Sequence, residues 1–141
     1  MISRLSRAVS KHGVQHFQVH ARLIANRSDT VDADFVHIRG DARVRLHTVN
    51  IEGCKRVTDA AFIHLRGIHT LSMSYCSQET ITDKAFVNLR GVNVLYMWCC
   101  NQATITPAAL THLRGIHTLD TYECSPAIQS AAAALLTETT S

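Results

Sequence analysis

The chain has 141 residues, of which 46% are hydrophobic and 18% charged, and its formal net charge is +3. This composition excludes a disordered chain, and no apolar run approaches the ~18 residues that a membrane-crossing helix needs. Residues 1–28 hold Arg4, Arg7, Lys11, Arg22 and Arg27 and no acid, while the remainder carries nine basic and eleven acidic side chains, a distribution that argues against a nucleic-acid footprint along the chain.

Taken in order, residues 1–12 place Ile2, Leu5 and Val9 on one helical face, which predicts a helix capping the open end of a repeat array. The same stretch is Ser/Arg-rich and acid-free, so an organelle transit peptide is the competing reading. It lacks the continuous apolar segment of a secretory signal. Next comes GVQHFQVHA, Gly13–Ala21, which reads as a degenerate first strand. FVHIRG at Phe35–Gly40 then precedes LHTVNIEGC, ending at Cys54, with Asp41–Arg45 as an insertion expected to bulge out between a helix and the next strand.

From there the chain repeats. Leu-Arg-Gly recurs at Leu65–Gly67, Leu89–Gly91 and Leu113–Gly115, a spacing of 24 that Cys76, Cys100 and Cys124 also keep. Each unit reads as a short strand, a turn and a short helix. In IHTLSMSYC, Leu71 and Met73 alternate with Thr70, Ser72 and Ser74, the period of a half-buried strand. Thr58, Thr82 and Thr106 are placed to cap helix N-termini, with Asp59, Asp83 and Pro107 in the first helical position. Gly67, Gly91 and Gly115 follow the last turns, where a left-handed residue ends a helix. A closing helix is predicted over 127–136 and a frayed tail over 137–141. The whole reads as one domain, with repeats over 13–126.

The pattern I-x-x-L-x-M-x-x-C followed by I-T-D-x-A-F-x-x-L resembles leucine-rich repeats, and within them the cysteine-containing subclass of F-box-type ubiquitin-ligase receptors and of repeat proteins in large DNA viruses and protists. The likeness covers residues 31–136 well and 13–30 loosely. It implies an α/β fold, a short leucine-rich-repeat solenoid of about five repeats with a parallel sheet on the concave side, short helices on the convex side and a helical cap at each end. It also implies that Cys54, Cys76, Cys100 and Cys124 occupy the column whose side chain bonds the turn backbone. Two departures stand out. The 24-residue unit is short for the subclass, and no F-box helix bundle precedes the repeats, so a ligase-adaptor role does not carry over.

The register sorts strand residues into core and outward columns. Core columns are Val14/Leu46/Ile68/Val92/Ile116, Phe17/Val49/Leu71/Leu95/Leu119 and Val19/Ile51/Met73/Met97/Thr121. The outward columns include Gln18/Asn50/Ser72/Tyr96/Asp120, His20/Glu52/Ser74/Trp98/Tyr122 and the flanking Ala21/Gly53/Tyr75/Cys99/Glu123. All three tyrosines and the single tryptophan fall outward, whereas the four phenylalanines fall in core columns. Aromatics with a polar tip on adjacent strands are the material of contact hot spots. Tyr75, Tyr96, Trp98, Cys99, Asp120 and Tyr122 are therefore the candidate binding residues, with packing of the aromatics on one another as the competing reading.

Other chemistry is weakly supported. No zinc-type Cys/His spacing occurs, and His16 and His20 would stand about 13 Å apart on a strand. His47/His69/His117 and His37/His64/His112 are expected as solvated ladders, interrupted by Asn93 and Asn88. The buried cysteines read as reduced thiols of a cytoplasm-like, reducing compartment. Cys99 points outward and is the candidate reactive thiol, but no base is placed to activate it. The expected function is protein–protein interaction through the sheet face, without catalysis, metal or cofactor. The alternative is a structural protein that self-assembles head to tail, with its own copies as partners.

Overall fold

The computed structural model describes residues 19–24, 30–36 and 44–139. The predicted cap helix over 1–12 and the first six residues of Gly13–Ala21 lie outside them. Five strands, β1 (Val19–Ile24), β2 (Val44–Asn50), β3 (Thr70–Ser72), β4 (Val94–Tyr96) and β5 (Thr118–Asp120), form one parallel sheet in sequential order. Between and after them come α1 (Ala33–Val36), α2 (Asp59–Phe62), α3 (Asp83–Phe86), α4 (Pro107–Leu110) and α5 (Pro126–Thr139). The result is a repeated α/β arrangement in which strands stack on strands and helices on helices.

The repeat chemistry accounts for each element. Thr58, Thr82 and Thr106 sit in extended backbone and accept the amides of Ala60, Lys84 and Ala108 at 3.2, 3.2 and 3.3 Å, which starts α2, α3 and α4. Each helix tightens after four residues into a 3-10 turn ending at Leu65, Leu89 or Leu113. Gly67, Gly91 and Gly115 then take φ of +84°, +83° and +85°, a conformation that stops the helix and turns the chain back to the sheet.

The core lies between the two layers. Phe35, Phe62 and Phe86 are fully buried on the helix side, facing Leu71, Leu95, Met73 and Met97 from the strands. Burial of each such side chain contributes about 1.5–3 kcal/mol. Ile128, Ala132 and Leu135 of α5 close the core after the last strand.

Three boundaries differ from the sequence reading. β1 sets Leu23 beside Val49 and Ile24 beside Asn50, not Phe17 and Gln18, a slip of six residues. An even slip leaves the in/out alternation intact, so the period-two pattern could not distinguish the two registers. A register irregularity between Ala21 and Arg22 accompanies this pairing. Val44 and Arg45 belong to β2, not to the bulge expected over Asp41–Arg45, and positions 41–43 lie outside the described residues. α5 continues to Thr139, past the expected end at Leu136, because Thr137 and Thr139 bond back to helix carbonyls.

Candidate functional site

Each strand runs into a turn closed by a cysteine amide: Cys54 to Ile51 O at 3.0 Å, Cys76 to Met73 O at 3.1 Å, Cys100 to Met97 O at 3.4 Å and Cys124 to Thr121 O at 3.0 Å. The third turn residue has positive φ in every copy: 70° at Gly53, 61° at Tyr75, 57° at Cys99 and 56° at Glu123. A turn of this kind favours glycine there, and a side chain in that region costs on the order of 1 kcal/mol. The outward column of Tyr75, Cys99 and Glu123 is thus a left-handed column. Gly53 in one copy was the signal for it in the sequence.

The parallel ladder continues through these turns. Tyr75 N donates to Trp98 O at 2.7 Å and Cys99 N to Tyr122 O at 3.0 Å, which fixes the aromatic-bearing segments side by side. Strand register sets Ser72, Tyr96 and Asp120 in one row. Trp98 and Tyr122 meet edge to face, with ring centroids 6.1 Å apart and planes at 72°. Tyr75, Tyr96, Trp98 and Tyr122 remain 47, 37, 38 and 63% exposed, the largest aromatics open to solvent.

Beside the aromatic pair lies an open groove of about 210 Å³ lined by Glu52, Ser72, Ser74, Tyr96 and Trp98. Glu52 and Ser72 share outward columns with Trp98 and Tyr96 but were not among the sequence-selected residues, because that selection centred on the aromatic side chains. Ser74, assigned outward, is buried instead, since its Oγ accepts the Trp98 amide at 3.2 Å.

Cys99 is half-buried and its Sγ donates to Glu123 Oε2 at 3.1 Å. That carboxylate raises the thiol pKa above its ordinary value by holding the proton on sulfur. The bond to Glu123 counts against the expectation of a reactive thiol, because a neighbouring acid disfavours the thiolate.

The other cysteines are buried and make an internal ladder. Cys76 Sγ reaches Ile51 O at 3.1 Å, Cys100 Sγ reaches Met73 O at 3.3 Å and Cys124 Sγ reaches Met97 O at 2.9 Å. Each of those carbonyls also closes its own turn, so the thiol ties one unit's turn to the next. Burial pushes the Cys76 thiol up to about 11 and also raises Cys100 and Cys124. No disulfide involves any of the five cysteines. A parallel ladder of glutamines supports the same turns: Gln78 Nε2 donates to Cys54 O at 2.7 Å and Gln102 Nε2 to Cys76 O at 2.8 Å.

Of the histidine columns, the one beside the strands is an ordered stack. His47 and His69 lie face to face at 4.5 Å, and His69, His117 and His47 each place Nδ1 within 3.0–3.1 Å of the following threonine hydroxyl. In the helix-side column His64 and His112 are half-buried, and His37 lies outside the described residues. Asn88 is buried and accepts from Arg66 Nε at 2.8 Å, and Arg90 Nη2 donates to half-buried His112 Nδ1 at 3.4 Å. Among the described residues, no cluster of three or more His, Cys, Asp or Glu side chains could hold a metal ion, and no helix is long and apolar enough to cross a membrane.

A scan against protein-family models finds no match, and no curated protein sequence matches the chain.

Proposed function

We propose that this chain is a leucine-rich-repeat module that recognises a protein partner through its sheet face. The single observation that carries this reading is the exposed aromatic group: Trp98 paired with Tyr122, and Tyr96 sharing a groove wall with Trp98. Exposed tryptophan and tyrosine on a rigid ladder offer large contact area with few rotamers to freeze, the usual basis of hot spots. Left-handed backbone at Tyr75 and Cys99 supports it as well, since side chains are kept there at a conformational cost. Cys99, Asp120 and Tyr122 complete the proposed contact residues. On this reading no catalysis is involved, and the thiol ladder suits a reducing, cytoplasmic compartment.

The repeat family is part of the same proposal. Its support is the thiol-to-turn bonding that the resemblance implies for Cys76, Cys100 and Cys124. The alternative, self-assembly, draws support from an opposition of charge. Exposed Arg66, Arg90 and Arg114 mark the helix side, while Glu52, Asp120 and Glu123 mark the strand side.

The test is a selection of random displayed peptides on the intact protein, with the Trp98→Ala and Tyr96→Ala proteins as counter-selection. Partner recognition predicts binders lost on truncation of Trp98, at about 2 kcal/mol or more. Binders indifferent to both substitutions would remove this face from the reading. Mass that grows with concentration at low salt, accompanied by blue-shifted Trp98 emission, would favour self-assembly.

A further inference from the structure

Neighbouring units are joined by pairs of backbone amides that donate forward along the array. Ile51 N reaches Ser72 O and Gly53 N reaches Ser74 O, both at 2.9 Å. Met73 N and Tyr75 N reach Tyr96 O and Trp98 O at 2.8 and 2.7 Å, and Met97 N and Cys99 N reach Asp120 O and Tyr122 O at 3.0 Å. The next pair in this series is Thr121 N and Glu123 N, and among the described residues nothing accepts from either. His117 O is the matching acceptor. His47 O, His69 O and Asn93 O each take an amide of the following unit, whereas His117 O takes none. β5 thus ends the sheet with an open edge.

The helix layer at the same end is finished differently. Gln129 of α5 stands in for the following unit's glutamine, donating to Cys124 O at 2.9 Å as Gln78 and Gln102 do to Cys54 O and Cys76 O. Opposite its buried Ile128, Ala132 and Leu135, α5 exposes Gln129, Ser130, Ala133 and Thr137, a small and polar surface of the kind that caps a repeat array. The chain therefore replaces the next helix but not the next strand. A second copy would bring a helix with its strand, against that polar surface, so a single extended segment is the better occupant. Beside the same edge, Tyr122 is the most exposed of the four outward aromatics and packs against Trp98 on the β4 side.

Resting on the reading that the chain binds a protein, we infer that the partner adds an extended segment to β5 as a sixth strand. The segment runs parallel to β5, because Thr121 O turns in to accept Cys124 N at 3.0 Å and does not complete the two-way exchange of an antiparallel pair. Two of its carbonyls, two residues apart, accept Thr121 N and Glu123 N, and an earlier amide donates to His117 O. The residue whose carbonyl takes Glu123 N continues the row of Trp98 and Tyr122, so an aromatic or large apolar side chain is preferred there.

Amide hydrogen exchange, read residue by residue by NMR, tests this with the peptides that the random displayed library yields on the intact protein. In the free protein Thr121 and Glu123 should exchange at least about tenfold faster than their paired counterparts Met97 and Cys99. A selected peptide at saturation should slow Thr121 and Glu123 by about tenfold or more. Thr121→Pro deletes the edge donor and, verified by its thermal melt, should weaken that peptide by about threefold or more. If this variant does not fold, exchange in the unsubstituted protein decides alone. Selected peptides that leave both amides fast, or amides already as slow as Met97 and Cys99 in the free protein, would overturn the inference. Protection that rises with protein concentration in the absence of peptide would give the edge to a second copy and overturn it equally. The two levels separate. Trp98-dependent binders that do not slow Thr121 and Glu123 overturn the strand addition and leave recognition by the face standing, whereas a library that yields no binder overturns both.

Discussion

Asp59 holds Thr82 with both carboxylate oxygens, Oδ1 accepting the backbone amide at 2.7 Å and Oδ2 the hydroxyl at 2.6 Å. Asp83 does the same to Thr106, at 2.7 and 2.6 Å, and Asp32 to Thr58. In each case the acid at the start of one helix orients the residue that caps the next. The pattern ends where Pro107 replaces the aspartate.

Asp59→Ala should therefore destabilise the fold by about 1.5–3 kcal/mol, the range for hydrogen bonds to a charged group. Urea melts of Asp59→Ala, Thr82→Val and the double variant check this. The cycle is expected to show coupling of about 1 kcal/mol or more across the 23 residues, whereas additive effects would mean that Asp59 acts only on its own helix.

The turn column predicts opposite signs for two small substitutions. Gly53→Ala forces a side chain into φ of 70° and should cost about 1 kcal/mol. Glu123→Gly relieves the same conformation at φ of 56° and should be neutral to stabilising by up to about 1 kcal/mol, offset by the glycine's greater freedom when unfolded. Thermal melts of the two proteins side by side decide the matter, and equal destabilisation by both would refute the strain argument.

Glu123 also controls Cys99. With the carboxylate accepting the thiol proton, Cys99 should react with iodoacetamide at pH 8 more slowly than a simple thiol, and Glu123→Gln should speed alkylation by a few-fold as the pKa falls. Mass spectrometry of the labelled sites gives the rate. An unchanged rate at Cys99 would show that the carboxylate does not govern it.

The buried thiols set an alkaline limit. The pKa of Cys76 is raised from 9.0 to about 11 because the folded state shelters the neutral form. A group raised in this way contributes stability that is fully present below its unfolded pKa and lost as pH rises through the folded one. Stability should therefore decline between about pH 9 and 11, and less steeply in Cys76→Ala, although that protein starts from a lower value. Identical pH slopes for the two proteins in chemical denaturation would exclude this contribution.

Much of the candidate site was legible because repetition converts spacing into position. Once Cys76, Cys100 and Cys124 are aligned, Tyr96 and Trp98 fall outward without any structure, and β3, β4 and β5 keep that register. Residues whose role depends on contacts between units were not legible. Nothing in the local sequence distinguishes Asp59 as a support for its own helix from Asp59 as a clamp on Thr82. Cys99 likewise read as an open thiol until Glu123, 24 residues on, was brought to 3.1 Å.

By itself the sequence determined the unit: its strand, caps, glycine stops and core columns, because alternation, N-caps and left-handed stops are local properties of backbone and side chain. Only the tertiary structure decided how units meet: the pairing of Leu23 with Val49, the left-handed turn column, the thiol-to-carbonyl bonds and the groove that sets Glu52 beside Tyr96 and Trp98. These depend on stacking distance and on which polar groups must be satisfied between neighbours, and periodicity along a single chain carries neither.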